Sequence, residues 1–111
     1  MFQLRRLVLL ATASLALGAC LSPTLPLPPP DRPDVSSPDA SGMVRIQGLA
    51  PVGSTVTAWN HANNLTAGQV LKTDPKYDFT LRADVGDLIE LYYTKSTDQS
   101  QSVEVTVPAA K

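Results

Sequence analysis

The residues able to do chemistry in this 111-residue chain are few: one cysteine (Cys20), one histidine (His61) and a scatter of aspartates. A single thiol excludes an internal disulfide and a cysteine-rich zinc site. A lone histidine with no second thiol removes most nucleophile–base pairs. His61 stands among Asn60, Asn63 and Asn64, which reads as a solvated turn. Asp74, Asp78, Asp84, Asp87 and Asp98 offer oxygen ligands of the kind that hold calcium, but their spacing follows no ordered calcium loop, so they read as turn formers. Trp59, Tyr92 and Tyr93 remain. Brought to one surface, they would form a stacking platform for a sugar or a peptide, although a core Trp with one rim Tyr is the commoner arrangement. This inventory predicts no catalytic residue, no metal ligand and no enzyme.

The context of Cys20 is more informative. Residues 1–6 end in two arginines, residues 7–17 are apolar and uncharged, and Leu17-Gly18-Ala19-Cys20 follows at once. An apolar run of about eleven residues is too short for a permanent membrane helix, which needs ~20, and it suits the hydrophobic segment of a secretory signal. The ending resembles the lipobox of bacterial lipoproteins. That resemblance implies cleavage at the Ala19–Cys20 bond, a thioether-linked diacylglycerol on Cys20 and an acyl chain on its freed amine, with no other cofactor. At ~0.8 kcal/mol per buried CH₂, two or three such chains anchor a protein stably where one does not. Leu21, standing where an Asp would signal retention, implies by resemblance to Gram-negative lipoproteins sorting to the outer membrane, on a face the sequence leaves open.

Beyond residue 19 the chain carries seven basic and ten acidic residues, and neither sign clusters. Phosphate binding requires a basic stripe, so a nucleic-acid partner is not expected. Seven of the ten prolines fall between Pro23 and Pro38, which separates a linker from a domain. Residues 21–41 show no hydrophobic periodicity, and their prolines bias them to an extended, unfolded spacer. At ~3.1 Å per residue such a spacer would reach up to roughly 60 Å from the lipid surface.

The remainder reads as strands. Val56 and Ala58 alternate with Thr55, Thr57 and Trp59, and Tyr77, Phe79 and Leu81 repeat at period two, as do Val103, Val105 and Val107. Residues 88–94 are apolar on both faces. Pro51, Pro75 and the Gly86 of Asp84-Val85-Gly86-Asp87 supply turn chemistry between these runs. Six or seven short strands with no amphipathic helix predict an all-β, antiparallel sandwich over residues 42–111, behind a signal at 1–19 and a lipidated cysteine with its linker at 20–41. Phe79 is expected at the centre of the inner face, with Asp78 and Thr80 in water.

Val44-Arg45-Ile46-Gln47-Gly48, Pro51-Val52-Gly53-Ser54-Thr55-Val56 and Thr73-Asp74 followed by Phe79-Thr80-Leu81 together resemble the carboxypeptidase-regulatory-like and bacterial immunoglobulin-like domains of secreted proteins. Tyr77 departs from that pattern, which has a glycine there. The resemblance implies a non-catalytic interaction or structural module, held at a membrane through its lipid, with an envelope protein as partner. Two other functions compete with it: capture of a sugar or peptide through Trp59, Tyr92 and Tyr93, and service as accessory or inhibitor of a secreted or envelope enzyme. Exposure of Trp59 separates the capture reading from the structural one.

Overall fold

The computed structural model describes residues 27–110, so the readings of Leu17, Gly18, Ala19, Cys20 and Leu21 lie outside the described residues. Among those described, all regular structure is strand: β1 (Asp34–Val35), β2 (Met43–Leu49), β3 (Thr55–Asn60), β4 (Thr66–Val70), β5 (Lys76–Arg82), β6 (Leu88–Lys95), β7 (Asp98–Gln99) and β8 (Val103–Thr106). The alternation in the sequence explains the longer ones. In β2, Val44 and Ile46 are buried between exposed Arg45 and Gln47; in β5, Tyr77 and Leu81 are buried between exposed Asp78, Thr80 and Arg82. A pleated strand with one wet face requires this pattern.

The strands form two sheets. One has the order β1-β2-β5; the other runs β4-β3-β6, with β7 and β8 both pairing β6. Every strand pair is antiparallel. The chain crosses between sheets after β2, β4 and β5, so the two inner faces enclose one core in a small all-β sandwich. Ile46 from the first sheet and Val56, Ile89 and Leu91 from the second are completely buried there. The Gly86 turn forms as expected, with Gly86 at φ 90°, a left-handed conformation that costs glycine nothing sterically. β7 and β8 are one strand interrupted at the buried Ser100. There the serine hydroxyl accepts the Tyr93 N–H at 2.9 Å, replacing the backbone acceptor that the interruption removes.

The boundary between linker and domain differs from expectation. Residues 27–41 were assigned to an unfolded spacer, yet β1 pairs with β2 through Asp34↔Gln47 and Val35↔Ile46. Leu27 bridges Ser100, and the Gln101 N–H donates to the Leu27 carbonyl at 3.1 Å. Pro30 and Pro33 are buried. Residues 27–35 thus run from the β6 side of one sheet to the β2 edge of the other and close that flank of the sandwich. Proline is compatible with such a position because an edge segment has few ladder bonds to lose. A chain beginning at Gly42 is therefore expected to be less stable than one beginning at Leu27 by about 2 kcal/mol of lost apolar burial. For a domain of this size that is roughly 10 °C in Tm. Equal melting temperatures in a calorimetric comparison would return the boundary to Gly42.

The centre of the inner face also differs. Phe79 is only half-buried, whereas Tyr77, two residues before it on the same strand, is 1% exposed and is the largest completely buried side chain. Their rings lie 5.8 Å apart and tilted. Tyr77 pairs with Gly48 across the β2–β5 ladder, and its ring crosses that glycine so closely that a Cβ there would stand 2.6 Å from Cζ. A glycine inside a strand normally weakens it; here it makes room for an aromatic ring. Among the described residues the Tyr77 hydroxyl has no hydrogen-bond partner. Burial, with the Asp31 and Asp34 carboxylates nearby, pushes its pKa up to about 12, so it stays protonated and neutral.

Candidate functional site

The chemistry-bearing side chains gather on the outer face of the larger sheet and in the turn beside it. Trp59 is opposite Glu90 in the β3–β6 register, and Thr57 is opposite Tyr92, so all four share one face. His61 follows in the turn between β3 and β4. That turn is closed by the Asn64 N–H donating to the Asn60 carbonyl at 2.8 Å, with Asn64 at φ 61°. Asparagine tolerates this left-handed conformation better than most residues.

A chain of contacts runs through the cluster. The Trp59 indole N–H donates to Asn64 Oδ1 at 2.8 Å. The His61 ring stacks on Trp59 with centroids 4.0 Å apart, and His61 Nε2 lies 3.0 Å from Glu90 Oε2. The Glu90 carboxyl is held below the usual range by the Ser102 side chain first and by His61 second. For nucleophilic catalysis a histidine must stand between the serine and the carboxylate. Here the carboxylate stands in the middle, and a carboxylate of lowered pKa is a poorer base. The arrangement works as a clasp that fastens the β3–β4 turn to β6.

The three aromatics considered as a platform do not share one face. Trp59 and Tyr92 lie half-buried on the outer face, whereas Tyr93, one residue further along β6, points the other way and is 4% exposed. Adjacent strand residues cannot face the same side. Trp59 has in addition committed its N–H to Asn64 and one ring face to His61.

The aspartates disperse in the same manner. Asp74 and Asp98 belong to one end of the sandwich, Asp84 and Asp87 to the other, and Asp78 pairs with Arg45 across the β2–β5 ladder side. Among the described residues no three His, Cys, Asp or Glu side chains stand close enough to hold a metal ion together.

One polar residue of structural weight escaped the sequence reading. Asn60 is completely buried at the end of β3, in phase with Val56 and Ala58, and that phase was the available signal. Its Nδ2 donates to the Arg82 carbonyl at 3.1 Å and to Asp87 Oδ2 at 2.9 Å, while its Oδ1 accepts the Ala62 N–H at 2.9 Å. It thereby ties the second sheet to the end of β5 in the first.

Asp87 accepts the Asp84 N–H as well as Asn60, and these bonds, Asp84 first, hold its carboxyl below the usual range. Asp39 and Asp78 are lowered too, by hydrogen bonds from Ser41 and Arg45 respectively. A group that binds its proton less readily in the folded state stabilises fully above its unfolded pKa, near 3.9 for Asp, and loses that contribution as pH falls through the lower folded value. Melting temperature followed from about pH 6 to about pH 2 should therefore fall in the acid range. Asp87→Asn should show a smaller fall, and an identical acid profile would remove Asp87 from the account.

No family model, curated protein or solved structure matches this chain.

Proposed function

We propose that the chain is an envelope lipoprotein, anchored through lipid on Cys20, whose small immunoglobulin-like sandwich acts as a non-catalytic structural or interaction module at the outer membrane. The observation that carries this reading is Leu17-Gly18-Ala19-Cys20 directly behind an uncharged apolar run with two arginines before it. The clasp geometry supports the structural module over ligand capture: Trp59 and His61 are spent on holding a turn in place. The partner is the membrane itself and a protein of the envelope.

The deciding experiment concerns the thiol. Cys20→Ser should abolish incorporation of an acyl label and leave the leader uncleaved, a shift visible in intact-mass spectrometry. A mutant that still matures at residue 20 with lipid attached would refute the anchor.

A further inference from the structure

Resting on the anchor reading above, we infer that one end of the sandwich is a membrane-facing surface and that its occupant is the bilayer in which the Cys20 lipid is embedded. Leu27 is already bonded into the sandwich through Ser100 and Gln101. Only seven residue steps separate it from Cys20. Even fully extended, at ~3.3–3.6 Å per residue, they span about 25 Å. That is comparable to the length of β6 itself, eight residues at ~3.4 Å. The domain is therefore held against the lipid surface, and the end where the chain enters is the end that meets it.

This end comprises the connections at residues 50–54, 71–75 and 96–97 together with residues 27–32. Its composition suits a lipid headgroup layer. Of the five large hydrophobic side chains exposed among the described residues, Leu49, Val52 and Val70 lie here. Leu49 and Pro51 also line a shallow groove of about 290 Å³ with Pro28, Pro29 and Tyr93. Lys72, Lys76 and Lys95 all sit at this end, exposed and without an ion pair among the described residues. Long cationic side chains beside apolar ones place their stems in the interface and their heads among phosphates.

Electrostatics sets the orientation. Setting aside Arg45 and Asp78, which neutralise each other as an ion pair, the three lysines and Arg32 at the membrane-facing end balance Asp31, Asp34, Asp74 and Asp98, whereas among the described residues the opposite half has Asp39, Asp84, Asp87, Glu90 and Glu104 against Arg82. An anionic leaflet repels that acidic half and tolerates the balanced one. The same short tether that brings the domain to the bilayer thus presents the one end whose charge permits contact.

The test uses the full lipidated chain in vesicles of phosphatidylethanolamine and phosphatidylglycerol. Val52→Cys and Val85→Cys variants place a nitroxide label at either end, about a strand length or ~25 Å apart. Collision with a headgroup-bound paramagnetic quencher should be several-fold stronger at position 52 than at position 85. Intact mass on the same samples reports acylation of Cys20. Acylated protein with equal collision rates at both positions overturns the membrane-facing surface alone. Absence of the acyl mass overturns the anchor and the surface with it. Spin–spin coupling between labels at position 52, without headgroup collision, would assign this end to a second copy of the chain and likewise overturn the inference.

Discussion

Tyr77→Ala is expected to unfold the domain at ambient temperature. Truncating a buried aromatic costs ~3–5 kcal/mol through lost transfer energy and the cavity left behind. A domain of this size without a disulfide seldom has more than about 3–5 kcal/mol of stability to lose. Tyr77 is completely buried and its ring lies over Gly48, so its loss leaves a cavity against the β2–β5 ladder. Removing only the hydroxyl should act in the opposite direction. That oxygen is buried with no partner among the described residues, and burying an unsatisfied polar group costs roughly 1–3 kcal/mol. Tyr77→Phe is thus predicted to raise Tm, by several degrees for about 1 kcal/mol in a small domain. Thermal melts of both variants decide the matter. A stable Tyr77→Ala or a less stable Tyr77→Phe would contradict this account of the core.

Asn60→Asp should be nearly as damaging at neutral pH, although it changes one atom. The wild-type amide donates to Asp87 Oδ2 at 2.9 Å; the replacement would bring a second carboxylate against the first in a completely buried position. It would also withdraw the donor from the Arg82 carbonyl. Two carboxylates at that separation cannot both ionise without large cost, so one pKa rises strongly. An uncompensated buried charge costs ~3–5 kcal/mol, again most of the available stability. The variant should therefore regain structure as pH is lowered towards about 5, where the pair shares one proton. Wild type gains nothing over that range from Asp87, whose contribution only declines with acid. Circular dichroism across pH distinguishes the two, and a variant with no acid rescue would show that the site is not a coupled carboxyl pair.

The strand content was legible because period-two alternation is local. Val44 and Ile46, Val56 and Ala58, and Ile89, Leu91 and Tyr93 announce their faces within a few residues, and all are buried. The Gly86 turn was legible for the same reason. Alternation also separates Tyr92 from Tyr93 onto opposite faces, so a platform holding both goes against the periodicity. The absence of a second histidine or thiol and the lipobox-like stretch before Cys20 are likewise written in the residue order alone.

What only the tertiary structure decided depends on contacts between residues distant in the chain. Nothing local distinguishes Tyr77 from Phe79, which share β5 and its inner face; the difference is that Gly48, twenty-nine positions earlier, leaves space for the Tyr77 ring, while Phe79 stands opposite the completely buried Ile46. The prolines of residues 27–35 read as spacer because they have no periodicity of their own. They are ordered because the open edge of β2 and the interruption at Ser100 give them partners. Asn60 resembles a turn former in sequence and becomes a buried tie between sheets only once Arg82 and Asp87 arrive from the other side. Short-range pattern specifies which faces are apolar, but which edge is covered, and by what, is settled by the free energy of closing the sandwich as a whole.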